Sequence, residues 1–177
     1  MKYRRADIAG GTYFFTINLA DRRSSLLVDE IDKLRISINK VKKNHPFELD
    51  AMVVLPDHMH LLITLPKDDS DFPTRLMLIK SGFSRQIPKT ENIKESRLSK
   101  RERGIWQRRY WEHLIRDETD FERHVDYIHF NPVKHGYVNQ AVQWEFSTIH
   151  RYIQNGIIAP DWGSNQDFVL DSPLGER

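Results

Sequence analysis

The sequence contains no cysteine, and this absence excludes both a disulfide framework and a thiolate metal site. It also lacks any apolar run near the roughly 18–20 residues that a membrane-spanning helix needs. Residues 1–7 lack the apolar stretch of a secretory signal peptide, and no internal repeat is present. We therefore expect a soluble intracellular protein. Its 177 residues suffice for one domain, with a core at about residues 8–155 and a loosely held C-terminal tail over 156–177.

Net charge is also small, at +2, but its distribution is uneven. Within residues 75–110, eleven Lys and Arg stand against three Glu. A local basic excess of this size predicts a polyanionic partner, although a solvated loop would carry the same charges. Residues 88–103 show no clear period, so we expect a mobile loop there that could become ordered on contact with phosphate.

Hydrophobic periodicity predicts alternating strands and helices. Strands are expected over residues 12–19, 47–55, 58–65 and 105–115, and helices over 29–43, 69–86, 119–131 and 147–154. Thr119 and Glu122 form a capping-box pattern at the start of the third helix, and Pro132 is expected to end it. This order predicts an α+β fold of the ferredoxin-like type, an antiparallel sheet with helices on one face.

The stretch His58-Met59-His60 opens the third predicted strand. Residues i and i+2 of a strand point the same way, so the two imidazoles project from one face with backbones about 6–7 Å apart. They could then bind one metal ion. Alternatively, they are two surface histidines at the start of a strand.

The third predicted helix carries a polar stripe beside its apolar one. His124, Tyr127 and Asn131 share this stripe at spacings i, i+3 and i+7. If the helix lies along the sheet, Asn131 could offer an amide oxygen as a third metal ligand, with the Tyr127 phenol beside the ion. Alternatively, Tyr127 packs at the boundary between helix and sheet, and Asn131 only caps the helix.

Together these motifs resemble the single-tyrosine HUH endonucleases. His58-Met59-His60 matches the His-hydrophobic-His motif of that superfamily, and residues 127–131 match its helical Tyr-x-x-x-Gln/Asn. Over residues 10–16, 54–60, 106–113 and 124–136 the chain is similar to one branch, the tyrosine transposases associated with repetitive extragenic palindromes (REPs). The basic insert around 88–103 departs from that pattern.

The resemblance implies an HUH endonuclease fold and a transposase that cleaves single-stranded DNA beside a palindromic hairpin. Tyr127 would attack the scissile phosphate, leaving a 5′-phosphotyrosine link and a free 3′-OH, and a second 3′-OH could reverse the step. The resemblance implies Mg²⁺ or Mn²⁺ on His58, His60 and Asn131, although two imidazoles and an amide suit Mn²⁺ or Zn²⁺ better by ligand type. It also implies a bacterial cytoplasmic protein, associated with the nucleoid when bound to DNA.

Further site residues are expected around these four. His124, Glu112 and His113 are candidates for groups that support the metal site. Candidates for phosphate contacts are Arg4, Arg5, Arg108, Arg109 and Lys134. Three aromatic residues, Trp106, Tyr110 and Trp111, either stack on DNA bases or pack in the core.

Other functions fit the same residues less well. A catalytically silent hairpin-binding protein of the same fold is the main alternative. A metal-independent phosphoesterase would need paired His-x-Thr/Ser motifs, whereas the chain has one His-x-His. A ferredoxin-like RNA-binding module is a further alternative. Both a monomer and a homodimer that exchanges catalytic helices are compatible with the sequence.

Overall fold

The computed structural model describes residues 8–90, 93, 95–100 and 102–164. Four strands and six helices follow one another in these ranges, with a 3₁₀ turn at Ala141–Gln143. The strands are β1 (Thr12–Asn18), β2 (Glu48–Val54), β3 (His58–Thr64) and β4 (Trp111–Leu114). The helices are α1 (Leu26–Asp29), α2 (Ile31–Asn44), α3 (Phe72–Gln86), α4 (Glu95–Leu98), α5 (Glu118–Lys134) and α6 (Ile149–Gln154).

The strands form one antiparallel sheet in the order β2-β3-β1-β4. Its register places His60 opposite Thr16 of β1 and Val53 of β2, and places Asn18 opposite His58. Residues i and i+2 of a strand point to the same face, and directly opposed residues share a face. His58 and His60 therefore lie on one face of the sheet, together with Asn18 and Thr16 of β1. The predicted strands over residues 12–19, 47–55 and 58–65 are confirmed.

Helices cover both faces of this sheet. On one face, α2 and α3 pack on a core that includes Phe15 and Leu61. On the other face, α5 packs through Val125 and Ile128 onto a smaller core around Phe14. The α+β class and the antiparallel sheet are confirmed, but the helices are not confined to one face, because successive strand residues are apolar on both sides.

Helix α5 begins and ends differently from the prediction. Its N-cap is Asp117, whose side chain accepts a hydrogen bond from the Asp120 N–H at 2.8 Å, so the helix begins before Thr119. It also continues past Pro132 to Lys134. Proline removes only one helical hydrogen-bond donor when it stands in the last turn. Gly136, at φ +73°, ends this turn, and the Gly136 N–H donates to the Val133 carbonyl.

The segment before β4 is irregular where a long strand was predicted. Only Trp111–Leu114 forms a strand there, while Trp106 makes an isolated antiparallel bridge to Leu19. The Trp106 ring is turned into the core and donates from Nε1 to the Lys80 carbonyl of α3 at 3.2 Å. The described part of the basic stretch is also held against the fold, since Arg97 donates to the Trp106 carbonyl at 3.0 Å. Residues 91, 92, 94 and 101 of that stretch lie outside the described residues.

The beginning of the predicted tail packs on α5. Trp162 lies edge-on to the rings of His129 and Phe130, with ring centres 6.4 Å apart in each case. The rest of the predicted tail, residues 165–177, is outside the described residues. Among the described helices, none has both the length and the apolar character needed for a membrane crossing.

Candidate functional site

The two histidines of β3 are held by hydrogen bonds through their Nδ1 atoms. His58 Nδ1 lies 2.7 Å from a carboxylate oxygen of Asp57, and His60 Nδ1 lies 2.9 Å from the Thr16 hydroxyl. Because an ionised carboxylate only accepts, His58 donates through Nδ1 and presents the lone pair of Nε2. Hydrogen bonds of this kind orient metal-binding histidines in proteins.

Burial keeps both imidazoles neutral. It lowers the pKa of His58, although the neighbouring Asp57 opposes the shift. The pKa of His60 is lowered further, first by complete burial and then by the nearby charge of His58 when that ring is protonated. The ring centres of the two histidines are 5.1 Å apart. Neutral rings at this distance are suitable for binding a cation between them.

Asn131 brings a third polar group to the pair. Its side chain is completely buried on α5 and lies beside His60, whose pKa it raises against the larger, opposite effect of burial. Among the described residues, neither amide atom of Asn131 nor His60 Nε2 has a well-formed hydrogen bond. Buried polar atoms without partners are rare, and a bound cation would satisfy both the amide oxygen and the imidazole. The residues therefore fit a divalent metal ion.

Tyr127 lies on the same side of α5, one turn before Asn131. Its ring is completely buried and stands edge-on to His60, with ring centres 5.2 Å apart. The ammonium of Lys134 lies 5.0 Å from the centre of the Tyr127 ring. The structure thus brings together the four residues predicted from the two motifs, and it puts a cation next to the phenol.

His135 extends this line of residues to the surface. It follows α5 directly and is four residues beyond Asn131, on the same side of the helix. Its ring centre is 5.3 Å from that of His58, and its side chain is exposed. The sequence motifs did not single out His135, although its i+8 spacing from Tyr127 was visible.

Two of the other predicted residues form a separate cluster with Asp120. His113 Nε2 lies 2.8 Å from the Asp120 carboxylate, and the His113 and His124 rings stack with centres 4.7 Å apart. The ring of Phe14 separates this cluster from the histidine pair, with its centre 5.5 Å from that of His60 and 4.8 Å from that of His124. His113 and His124 are therefore not neighbours of His58 and His60.

The cluster of His113, Asp120 and His124 could in principle hold a metal ion, since its ligand atoms lie within 4.8 Å of one another. Its atoms are, however, already bonded: Asp120 also accepts from the Arg116 N–H at 3.0 Å, and His124 Nδ1 lies 2.7 Å from the Asp120 carbonyl. Burial raises the pKa of Asp120, but these donors outweigh it and leave the pKa lowered. The cluster joins β4 to the beginning of α5.

The remaining predicted residues are scattered. Glu112 pairs with Phe15, so it belongs to the opposite face and cannot support the metal site. Arg108 is 2.9 Å from the Glu102 carboxylate, whereas Arg109 is exposed. Arg4 and Arg5 lie outside the described residues.

Comparison with known proteins identifies the relatives of this fold. The family model for IS200-like transposases matches residues 11–131. A REP-associated tyrosine transposase of Escherichia coli K12 is 47% identical over 176 residues, which cover 99% of this chain and 97% of that protein. A Haemophilus influenzae protein assigned to the same class is also 47% identical, over 97% of this chain and 98% of its own length.

A solved structure supports the same relationship. The REP-associated tyrosine transposase bound to a REP hairpin superposes on this chain with a TM-score of 0.84 at 46% identity. The match covers 100% of this chain and 98% of that one.

Proposed function

Because the chain belongs to the IS200-like transposase family, and within it to the REP-associated tyrosine transposases, we propose that it cuts and rejoins single-stranded DNA beside a hairpin. The observation that carries the proposal is the meeting of Tyr127, Asn131, His58 and His60 on one face of the sheet. A relative bound to a REP hairpin supports a hairpin as the substrate.

A divalent cation, Mg²⁺ or Mn²⁺, would be held by His58, His60 and Asn131. Once bound, it would polarise a non-bridging phosphate oxygen and offset the charge that develops during attack. The protein supplies the rest of this site: Asp57 and Thr16 fix the imidazoles, and burial keeps them neutral. The two unsatisfied buried groups, on Asn131 and His60, favour this role over simple packing.

Tyr127 is the proposed nucleophile. Its phenol oxygen attacks phosphorus and loses its proton, while the bond from phosphorus to the 3′ oxygen breaks and that oxygen gains a proton. One phosphodiester replaces another, so no water is consumed and a 3′-OH of a second strand can reverse the step. A free phenol has a pKa near 10, so the phenolate needs help from nearby positive charge.

DNA must reach a tyrosine that is completely buried. Lys134 itself is exposed and lies over the Tyr127 ring, so we propose that an incoming phosphate attracts Lys134 and uncovers the phenol. A surface lysine on a flexible side chain is well suited to this exchange, because it binds phosphate as a mobile point charge. Lys134 therefore has two roles, one in covering the nucleophile and one in binding the substrate.

The experiment uses a labelled hairpin with single-stranded flanks, incubated with Mn²⁺, with Mg²⁺ or with chelator. We expect a covalent adduct on a denaturing gel that requires the metal and disappears in Tyr127→Phe. The control is Tyr152→Phe, because Tyr152 donates to the Asp50 carbonyl at 2.9 Å away from the site. Hairpin binding without any adduct would favour the alternative, a catalytically silent hairpin-binding protein.

A further inference from the structure

Trp111 of β4 is exposed, whereas the two aromatic residues that precede it, Trp106 and Tyr110, pack against the core. Trp106 is 7% exposed and Tyr110 packs on Phe15 with ring centres 5.8 Å apart, whereas Trp111 is 37% exposed. Single exposed apolar residues are common on protein surfaces, so the position of Trp111, and not its exposure alone, must indicate a ligand. The three aromatic residues that the sequence could not tell apart therefore separate into two core residues and one surface residue.

Trp111 lies in the same row of the sheet as His60. Thr16 pairs with His60 on one side and with Trp111 on the other, so all three residues share one face. Two strand spacings, roughly 10 Å, separate the backbone of Trp111 from that of His60. This distance is about that of one to three nucleotides, at about 3.4 Å per nucleotide in a stacked strand and more in an extended one.

Helix α5 does not bury Trp111. It packs mainly on β2 and β3, and its beginning contacts β4 at His113 through Asp120 and His124, but Trp111, two residues before His113, stays 37% exposed. Trp111 is on β4, the edge strand, where a flat ligand can approach the ring. The same face of the sheet thus carries the proposed reaction centre under α5 and an uncovered aromatic ring beside it.

A free cation accompanies the ring. Arg109, two residues before Trp111, is exposed and has no ion pair with an acidic residue among those that the structure describes. Its neighbour Arg108 differs, because it is paired with Glu102 at 2.9 Å. An aromatic ring with a free arginine close by in sequence suits a nucleotide, whose base stacks and whose phosphate is anionic.

We propose that Trp111 and Arg109 form a docking platform for an unpaired nucleotide of the DNA flank, one to three positions from the phosphate that is cut. This inference rests on the proposed function and adds to it the position of the single strand. Trp111 stacks on the base, and Arg109 contacts the adjoining phosphate. The platform positions the flank and takes no part in the chemistry.

The test compares two DNA probes in the presence of chelator, so that no cleavage occurs. One is a fluorescent hairpin with a short unpaired flank on its 5′ or 3′ side, and the other is the same hairpin without a flank. Trp111→Ala should weaken binding of the flanked hairpin about tenfold, as expected for one lost stacking contact, and leave the blunt hairpin unchanged. Trp111→Phe should recover most of the loss.

Matched variants separate stacking from general damage. Ile36→Ala, at an exposed position of α2 beyond the other face of the sheet, should bind both probes as the wild type does. Replacing the flank bases by abasic nucleotides should abolish the difference between the wild type and Trp111→Ala. Arg109→Ala should lower the salt slope for the flanked probe by about one, whereas Arg35→Ala on α2 should not.

Each other outcome has a definite meaning. Equal losses for both probes in Trp111→Ala, or no loss at all, would overturn the platform. A wild type that binds both probes equally would also overturn the platform while the proposed function stands. A wild type that binds no hairpin would instead contradict the proposed function.

Discussion

The most informative substitution in the proposed metal site is Asp57→Asn. Asp57 accepts from His58 Nδ1 at 2.7 Å and is buried, so its bond to the imidazole is short and shielded from water. Its other oxygen lies 2.7 Å from Nε of Arg22. Asparagine keeps the shape of the side chain but replaces a carboxylate acceptor by a neutral amide. The variant therefore tests the orientation and basicity of His58 without removing a ligand.

The expected loss follows from the type of bond. A hydrogen bond to a charged group contributes about 1.5–3 kcal/mol, and a neutral one about 0.5–1.5 kcal/mol. The difference, about 1–1.5 kcal/mol, corresponds to roughly a tenfold weaker affinity for Mn²⁺. It agrees with the 10- to 100-fold losses that are typical when the partner of a metal-binding histidine is changed.

Calorimetric titration with Mn²⁺ in the absence of DNA measures this loss directly. The control is Asp69→Asn, which removes a similar pair, Asp69 with Arg75 at 2.6 Å, away from any histidine of the site. Thermal unfolding of both variants checks that each is folded. Unchanged Mn²⁺ affinity in Asp57→Asn, or an equal loss in Asp69→Asn, would refute the reasoning.

Three further substitutions test other parts of the account. Asn131→Ala should weaken Mn²⁺ binding in titrations. It should change the unfolding free energy of the metal-free protein, measured with urea, by less than about 1 kcal/mol, since the lost amide is unsatisfied. An unchanged Mn²⁺ affinity together with a large loss of stability would contradict this. Burial lowers the pKa of His129 to about 3, so the metal-free protein should lose stability as the pH falls below about 6.5. The loss from this residue should be about 2 kcal/mol at pH 5. His129→Gln should therefore flatten the pH dependence of the unfolding free energy, measured by urea unfolding. A slope unaltered by His129→Gln would assign the loss to other groups. Asp120→Asn should cost about 1–3 kcal/mol of stability, because His113 and the Arg116 N–H lose a charged acceptor. It should leave the Mn²⁺ affinity within about twofold of the wild type. A large loss of affinity in titrations would place the cluster in the metal site.

The elements that carry the candidate site could be predicted because their patterns are local. Alternation along β3 puts His58 and His60 on one face, and the i+4 spacing on α5 puts Tyr127 beside Asn131. The apolar stripe on the same helix indicated which side would face the sheet. Only the docking of α5 on that sheet was needed to bring the two motifs together.

Features that depend on competing local signals were predicted less well. Thr119 and Glu122 have the residues of a capping box, but Asp117, two residues earlier, forms the cap by accepting from the Asp120 N–H. Pro132 was expected to end α5, yet its position in the last turn makes the missing N–H inexpensive. A sequence pattern cannot rank such alternatives without the contacts that favour one of them.

Contacts that depend on strand register, or on which element lies opposite a side chain, could not be predicted from these patterns. The bonding of Asp120 to His113 depends on the register of β4 against β1, which four strand residues alone do not determine. The different burial of Trp106 and Trp111 depends on whether α3 or solvent lies opposite each ring. These differences are the ones on which the nucleotide platform rests.

The central claim is that Tyr127 becomes covalently linked to the 5′ phosphate of cut DNA. The direct measurement is to digest the metal-dependent adduct with trypsin and nuclease and to determine by mass spectrometry which peptide carries the nucleotide. Cleavage after Arg123 and Lys134 yields a peptide of residues 124–134 with Tyr127 as its single tyrosine. The account predicts a nucleotide phosphate on Tyr127 of this peptide, and a released strand whose 3′-OH a polymerase can extend. A nucleotide on any other residue, or a released strand ending in a 3′ phosphate, would contradict it.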